Sequence, residues 1–411
     1  MLGLILFPVD WHVPVGARSQ RARLSGSGSI SGQSAASGKR APTFRAIGRH
    51  VGKVILNTPM HISNLSTPVP VVDYDTARRN IRRLQEYCDA QQLKLRPHIK
   101  THKLPFFAQE QCRAGATGIT VQKLGEAEVM AQTGLTDILI TYNIVGPEKA
   151  ERLANLTNFA RLAVGIDNKK AVESLVVAGS RANSPIGVLV EFESGGKRQG
   201  VQTPEQALEL AKMIRGQSRL EFRGLMTYPT TVKTAEFLGE ALLIFRKEGI
   251  DVPVISGGGT PAAYRTHELA PVTEIRVGTY IYNDRMMLAA GAATLQDCAL
   301  TVLATVVSRP TPERAVIDAG SKTLSSDLLP PGQGDGYGLL PDYPEAIIAR
   351  LSEEHGILDL GGSARKPELG ECVRVIPNHA CVVTNLHDQI YLHRDGNVLA
   401  KLPIYSRGKT V

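Results

Sequence analysis

The chain of 411 residues has only five cysteines, and they are scattered along its length. This low, irregular content excludes a disulfide framework and predicts a reducing compartment, for which the cytoplasm is the default. The chain also lacks any apolar run long enough to span a bilayer, which excludes an integral membrane protein. The remaining composition, with 43% hydrophobic and 21% charged residues, is ordinary for a globular protein of about two domains.

Most of the chain also lacks an excess of charge of either sign. The net charge is +8, but the first 60 residues contain eight basic residues and one acidic residue, so the rest carries about +1. This near-neutral body predicts no binding of nucleic acid. The first 60 residues are rich in Ser and Gly, and this composition predicts a disordered basic leader. The leader would be either a targeting segment or the product of a mis-assigned start codon.

Strand and helix patterns alternate from about residue 93. Several candidate strands are near-continuous apolar runs, such as Gly187 to Val190, which is typical of strands covered on both faces. Eight such strands with helices between them predict an α/β fold, a (β/α)8 barrel within residues 61–285, with an open doubly wound sheet as the alternative. The predicted strands cover residues 93–101, 115–122, 136–143, 161–168, 184–194, 221–229, 252–260 and 273–284.

After about residue 285 the helix patterns give way to short β-rich segments separated by turn clusters. Residues 286–411 therefore predict a second, mostly β domain. Its predicted strands cover residues 299–308, 314–318, 372–376, 381–384 and 389–393. A strand within residues 61–75 has no place in an eight-stranded barrel, so we expect it to join the sheet of this second domain.

The run from Arg96 to Lys103 has a lysine between two histidines at two-residue spacing. In an extended strand, His98, Lys100 and His102 would lie on one face. Neighbouring imidazoles and burial would push the lysine toward its neutral amine, which can attack an aldehyde, so the run suits a Schiff-base lysine. The alternative is a basic, solvent-exposed strand end.

Glycine-rich turns close the last two predicted barrel strands. Ser256 to Thr260 ends the seventh strand, and Gly278 and Thr279 lie on the eighth. Loops at these two positions of a barrel often bind phosphate, because glycines let backbone N–H groups approach an anion. A phosphate site and a Schiff-base lysine at one barrel mouth predict pyridoxal phosphate, whereas turns without a ligand are the alternative for each turn alone.

Two further groups of residues are candidates for chemistry. Arg198 follows the fifth strand and could face a cofactor ring or a substrate carboxylate, or lie in a surface turn. His379 and Cys381 would share one face of a strand, and zinc accepts both ligand types, although histidine is also common in protein cores. Taken alone, these residues leave both interpretations open.

In their order along the chain, the motifs resemble the D-threonine aldolase / D-serine dehydratase family, whose N-terminal barrel is similar to that of alanine racemase. The resemblance covers about residue 65 to the C-terminus. It implies a pyridoxal phosphate enzyme of fold type III, a homodimer, with a divalent metal, zinc or manganese, beside the cofactor. The motifs are Arg96 to Lys103, Ser256 to Pro261, Gly278 to Tyr280, Asp318 to Lys322 and Pro377 to Cys381.

The resemblance also implies roles for individual residues. Lys100 would bind the cofactor aldehyde, and Tyr142 and Arg198 would line the pocket. The metal would be held by His379 and Cys381. The residues expected at the phosphate are Gly258, Gly259, Thr260, Gly278 and Thr279. Many family members have a histidine near the end of the sixth strand, where this chain has a tyrosine, so the candidates for the catalytic base are Tyr228, His98 and His102.

The function that the resemblance implies is a lyase acting on small D-3-hydroxy amino acids. We expect a D-threonine aldolase, which gives glycine and an aldehyde, because Asp318 to Lys322 and Tyr228-Pro229 resemble the low-specificity aldolases. The alternative is a D-serine dehydratase, which gives pyruvate and ammonia and for which a cysteine at the second metal position is also typical. An amino acid racemase is less expected, since it would need a second acid–base residue in place of the metal.

Overall fold

The computed structural model describes residues 60–411, which alternate strands and helices through the first part of the chain and are mostly β in the last part. The strands are β1 (Val69–Asp73), β2 (Lys94–Leu95), β3 (Ile119–Val121), β4 (Asp137–Ile140), β5 (Arg161–Ile166), β6 (Ile186–Phe192), β7 (Leu220–Thr227), β8 (Val254–Gly258), β9 (Glu274–Arg276), β10 (Leu300–Thr311), β11 (Arg314–Ile317), β12 (Gly338–Leu339), β13 (Ile347–Leu351), β14 (Gly356–Asp359), β15 (Cys372–Pro377), β16 (Gln389–Arg394) and β17 (Asn397–Pro403). The helices are α1 (Tyr74–Ala90), α2 (Pro105–Arg113), α3 (Leu124–Gln132), α4 (Pro147–Leu156), α5 (Lys169–Arg181), α6 (Pro204–Arg215), α7 (Val232–Lys247), α8 (Thr266–Leu269), α9 (Arg285–Ala289), α10 (Ser321–Leu324) and α11 (Ala380–Leu386).

Eight parallel strands form a barrel, which confirms the predicted fold class. Their order is β2-β9-β8-β7-β6-β5-β4-β3. A parallel bridge between His98 and Thr120 joins the chain after β2 to β3 and closes the ring. All residues of β6 are buried, as expected for a strand covered by side chains inside the barrel and by helices outside. The carboxyl ends of the strands therefore meet at one mouth, which is where barrel enzymes carry their sites.

Some helices of the barrel begin at residues whose side chains cap them. Helix α6 begins at Pro204, where a missing N–H in the first turn costs nothing. The Thr203 side chain accepts a hydrogen bond from the backbone N–H of Gln206. Asn168 caps α5 in the same way. These caps satisfy N–H groups that the helices cannot pair internally.

The second sheet has nine strands in the order β11-β14-β13-β12-β15-β10-β1-β16-β17. Strand β1 lies inside this sheet, antiparallel to β10 and parallel to β16. It is followed directly by α1, which leads into the barrel. The chain therefore passes through the second sheet before it builds the first, and both sheets belong to one compact unit of the chain.

Three expectations need correction or fall outside the structure. The strand predicted at residues 93–101 ends early, because the chain enters a 3-10 turn at Ile99–Thr101, so His98, Lys100 and His102 do not share a strand face. Residues 381–384 are helical rather than extended, since α11 begins at Ala380 despite its β-branched valines; tertiary context overrides strand propensity there. The predicted disordered leader, residues 1–60, lies outside the described residues except for Met60.

The boundary that we place near residue 285 stays a prediction.

In the described part of the chain, no helix is both long and apolar enough to cross a membrane.

Candidate active site

Lys100 lies on a short turn at the mouth of the barrel. After β2, His98 still pairs with Thr120, and the chain then turns through Ile99–Thr101. The Lys100 backbone N–H donates to Nδ1 of His98 at 3.3 Å. The Lys100 Nζ lies 5.8 Å from the centroid of the Tyr228 ring. The amine is thus half-buried and directed across the mouth, not along an exposed strand end.

His98 is buried beside this lysine and has partners on both ring nitrogens. Its Nε2 lies 3.2 Å from Oε1 of Gln122 and 3.4 Å from Oγ1 of Thr141. Burial is the largest cause, and the positive charge of Lys100 the second, that hold the pKa of His98 well below its usual range. The ring is therefore neutral at physiological pH.

His102 lies in an apolar core. Its ring packs edge-on against Phe107 and Tyr282, both fully buried. Its Nε2 contacts Oε1 of Gln111 at 3.2 Å, and its Nδ1 accepts from the Leu104 N–H at 3.1 Å. Burial lowers the pKa of His102 to about 3. These contacts give His102 a packing role and argue against its use as a base.

The glycine turns after β8 and β9 border the Lys100 turn. A Cβ at Gly278 would lie 2.7 Å from Oγ1 of Thr101 and 2.8 Å from the His98 carbonyl oxygen, so only glycine permits this approach. Gly259 has a φ of +122°, a conformation that side chains disfavour. A Cβ at Gly258 would lie 3.6 Å from Cδ2 of Tyr228. Thr260 opens the 3-10 turn Thr260–Arg265 that follows.

Tyr228 connects this turn to Arg198. It follows β7 and is 40% exposed. The Arg198 guanidinium lies 4.8 Å from the Tyr228 ring centroid, and its Nη2 is 3.6 Å from a carboxylate oxygen of buried Glu191. Lys100, Tyr228, Arg198 and the glycine turns therefore line one continuous part of the barrel mouth.

Tyr142 follows β4, next to Thr141. The Lys123 ammonium stands 3.6 Å from the centroid of its ring, and the tyrosine lines a small cavity with Ile144 and Val411. Its neighbour Thr141 is the residue that reaches His98. A place for Tyr142 beside a cofactor held by Lys100 stays a prediction.

His379 and Cys381 come from the far end of the chain to the same mouth. His379 precedes α11 and Cys381 lies in its first turn. The Cys381 Sγ is 3.2 Å from Oγ1 of Thr101, the neighbour of Lys100, and 3.9 Å from Oγ1 of Thr279. The cysteine thus contacts both the lysine turn and the glycine turn after β9.

The two side chains also influence each other's protonation. Burial would raise the pKa of the Cys381 thiol, but the hydrogen bond with His379 and the positive charges of His379 and Lys100 outweigh it and lower the pKa. Burial would lower the pKa of His379, but the interaction with Cys381 and the charge of Asp284 raise it to about 9. This pairing favours thiolate character at Cys381, the form that binds metals.

Asp284 supports this pair, and our sequence analysis missed it. Its fully buried carboxylate accepts from the N–H groups of Ala380 and Met287, both at 3.0 Å. The same carboxylate lies 3.5 Å from Nδ1 of His379, a buried nitrogen with no hydrogen-bond partner among the described residues. An aspartate before a helix looks like an ordinary cap, so the sequence carries no signal of its contact with a residue about ninety positions away.

No cluster of three or more His, Cys, Asp or Glu side chains that could hold a metal exists within residues 60–411. His379 and Cys381 therefore offer two protein ligands at most. Such a set leaves positions open on a metal, as catalytic sites require.

Comparison with known proteins gives two family matches. The family described as alanine racemase, N-terminal domain, matches residues 72–286, and the family described as putative serine dehydratase domain matches residues 299–393. D-threonine aldolase from Arthrobacter sp is 32% identical over 364 residues, which cover 84% of this chain and 94% of that protein.

Solved structures show the same likeness. The crystal structure of D-threonine aldolase from Filomicrobium marinum has a TM-score of 0.78 and 30% identity, and the match covers 86% of this chain and 99% of that one. A metal-free form of a cysteine-to-alanine variant of D-threo-3-hydroxyaspartate dehydratase has a TM-score of 0.72 and 29% identity, with 84% and 99% covered. The likeness thus spans both sheets.

Proposed function

The chain belongs to the D-threonine aldolase / D-serine dehydratase family, and we propose that it is a lyase, dependent on pyridoxal phosphate and a divalent metal, that cleaves D-3-hydroxy amino acids as a D-threonine aldolase does. One observation carries the proposal. Thr101, next to Lys100, contacts both Cys381 and the glycine turn at Gly278, so the amine, the anion-binding turn and the metal-ligand pair converge.

The residues of the mouth fit the cofactor. Lys100 is the amine for its aldehyde, and Tyr228 and Arg198 offer surfaces beside its ring. The phosphate would be held by backbone and hydroxyl groups of Gly258, Gly259, Thr260, Gly278 and Thr279. When bound, pyridoxal phosphate delocalises the electron pair that bond cleavage leaves on the substrate. Tyr142 is the least supported of our candidates, since it contacts Lys123 instead.

His379 and Cys381 fit a divalent metal. A thiolate and an imidazole are donors that zinc prefers, whereas manganese prefers oxygen, so we propose zinc. The orphaned Nδ1 of His379 faces the Asp284 carboxylate, an arrangement typical of metal-ligating histidines. The related dehydratase variant, in which alanine replaces a cysteine, is in a metal-free form, and this supports a cysteine ligand. A metal at this position would polarise the substrate's 3-hydroxyl group.

The chain's own residues must still move protons. His98 and His102 are hydrogen-bonded through both ring nitrogens and held neutral by burial, so they are poor bases. This leaves Tyr228, in its deprotonated phenolate form, as our candidate to accept the proton of the 3-hydroxyl group in carbon–carbon cleavage. The Lys100 Nζ is the candidate to accept a proton from the substrate's Cα in the dehydratase alternative.

The dehydratase remains a second candidate function. Two observations favour it: the match to a putative serine dehydratase domain over residues 299–393, and a cysteine rather than a carboxylate at position 381. Incubation with D-threonine and with D-serine separates the two functions. We expect glycine and acetaldehyde from D-threonine; ammonia and 2-oxo acids as the main products would instead assign the dehydratase.

The cofactor assignment has its own test. Purified protein should show a visible absorbance band from cofactor bound to lysine, and Lys100→Ala should lose that band and all turnover. Retention of the band in this variant would end the proposal.

We also propose a homodimer, from the family resemblance, and a cytoplasmic location. All five cysteines, which lie within residues 60–411, are free thiols, and this supports a reducing compartment. Sedimentation of the purified protein tests the dimer, and fractionation of the producing cells tests the location.

A further inference from the structure

We propose that the two histidines around Lys100 are neutral clamps on the backbone, and that Gln122, acting through His98, is the residue that positions Lys100. The role assigned to Lys100 rests on the proposed function. The clamps themselves rest only on contacts between side chains and backbone on the described turn.

The His98 ring has a defined use for each nitrogen. Its Nδ1 accepts from the Lys100 N–H at 3.3 Å, so Nδ1 must be unprotonated. Its Nε2 must then carry the proton and donate it, to Oε1 of Gln122 at 3.2 Å. This one tautomer satisfies both contacts, and a second proton on the ring would displace the Lys100 N–H.

The orientation of Gln122 is fixed independently. Its Nε2 donates to the carbonyl oxygen of Thr141 at 2.9 Å, which leaves its Oε1 as the end that faces His98. Thr141 donates its own hydroxyl proton to the Val121 carbonyl at 3.2 Å, so its oxygen also faces His98 as an acceptor. Two acceptors therefore meet Nε2, and both require the same tautomer.

The second histidine repeats the arrangement. Nδ1 of His102 accepts from the N–H of Leu104, two residues on, and its Nε2 meets Oε1 of Gln111. Both rings are buried and have lowered pKa values, which agrees with neutral imidazoles. Each clamp joins a histidine to the N–H two residues on, so a clamp rather than a shared catalytic face explains the spacing of His98 and Lys100.

The far end of the turn, at Lys103, is anchored to helix α3, which follows Gln122. Lys103, which has a φ of +56°, donates to Oε1 of Glu126 at 2.6 Å, and both side chains are buried. The other carboxylate oxygen of Glu126 accepts from the backbone N–H of Gln122 at 2.7 Å. The ion pair between Lys103 and Glu126 therefore holds the backbone of Gln122, and the Gln122 side chain holds His98. A displaced Gln122 would release the turn on both sides of Lys100.

The first test measures the unaltered protein and uses variants only to assign its signals. The tautomers of His98 and His102 are read by nitrogen-15 NMR of the holoenzyme labelled at histidine, with signals assigned by their loss in His98→Asn and His102→Asn. We expect a neutral ring with the proton on Nε2 for both residues between pH 6 and 8. A proton on Nδ1 of His98, or titration of His98 within this range, would overturn the proposal.

The second test compares matched variants. Gln122→Met keeps the size of the side chain but removes the nearer of the two acceptors at Nε2. We expect the Nε2 signal of His98 to shift while the ring keeps its tautomer, and kcat to fall about tenfold because the ring and Lys100 are misplaced. Gln111→Met makes the same change at the second clamp, and should change the His102 signal and lower the Tm while kcat stays within about twofold. Equal kcat losses in the two variants would contradict a special role for Gln122.

Rescue separates a positioning role from a catalytic one. The side-chain oxygen of His98→Asn can still accept from the Lys100 N–H, whereas His98→Leu cannot. We expect His98→Asn to keep most of the turnover and the shape of the pH–rate profile, and His98→Leu to lose both cofactor and turnover. If His98→Asn loses turnover together with one limb of the profile, His98 is a base and the proposal fails. Failure of the proposed function is seen separately, in the Lys100→Ala variant.

Discussion

Cys381 brings the last part of the described chain into contact with the turn that carries Lys100. Its thiol contacts Thr101 on the lysine turn and Thr279 after β9, and it interacts with His379 on its own element. The lowered pKa of this thiol distinguishes it from Cys298, where burial raises the pKa to about 12. A buried cysteine is usually an inert packing residue, and the positive neighbours of Cys381 are what make it a candidate ligand.

The first prediction concerns this residue. We expect Cys381→Ala to lose bound metal and to lower kcat at least about a hundredfold, because one of two protein ligands is removed. The visible band of the cofactor should remain. Metal analysis and the absorbance spectrum check this, with Cys298→Ala as the control that keeps both. Undiminished turnover in Cys381→Ala would show that the metal site is elsewhere.

His102 supports a prediction about pH. Burial lowers its pKa from 6.5 to about 3 in the folded chain. As pH falls below 6.5, the unfolded chain therefore takes up a proton that the folded chain does not, and the free energy of unfolding falls by up to about 1.4 kcal/mol per pH unit. His102→Asn should remove the contribution of His102 to this slope and leave that of His98, as measured by urea unfolding between pH 6.5 and 4.5. Equal slopes in both proteins would mean that the ring is protonated in the fold.

At the scale of elements, the turn at Ile99–Thr101 depends on the glycine turn after β9. Gly278 approaches the His98 carbonyl and the Thr101 hydroxyl so closely that a side chain has no room. Any shift of one turn is therefore passed directly to the other. This contact couples the position of the amine to that of the candidate phosphate site.

We expect Gly278→Ala to disturb both turns. Its methyl carbon would lie 2.8 Å from a backbone oxygen, which cannot swing away, so the free energy of unfolding should fall by about 1–3 kcal/mol. Cofactor affinity should fall as well, because Lys100 and the phosphate turn separate. Gly239→Ala, on an open face of α7, is the control and should be neutral or stabilising. Unchanged unfolding and cofactor affinity in Gly278→Ala would exclude the coupling.

The sequence predicted these elements unequally. Continuous apolar runs are local signals, so all eight barrel strands were predicted, although the first and the eighth end earlier than predicted, each before a 3-10 turn. The turn that carries Lys100 was not, because two clamped histidines look the same as two alternating strand residues. The same holds for α11, whose valines favour a strand until Asp284 binds the N–H of Ala380.

At the scale of the whole molecule, the site exists only when the two sheets are assembled. Lys100 comes from the barrel, whereas His379 and Cys381 come from the element between β15 and β16. The sequence motifs around Lys100 and Cys381 could therefore be recognised residue by residue. The contacts that Gln122, Thr141 and Asp284 make with them could not be predicted from the sequence. Their roles depend on contacts across the fold, and each one has an ordinary local environment in the sequence.

The placement of β1 leads to the last prediction. This strand is enclosed between β10 and β16, and residues of α1 such as Ala77 and Ile81 pack in the apolar core of the second sheet. A fragment of residues 60–285 would therefore expose both edges of β1 and one face of α1, and unpaired strand edges promote aggregation. We expect this fragment to aggregate and to bind no cofactor, and co-expression with residues 286–411 to restore both solubility and the cofactor band. Size-exclusion chromatography and absorbance measure the two outcomes. A monomeric fragment that carries the band would mean that the barrel folds alone, and the boundary near residue 285 would then separate two independent domains.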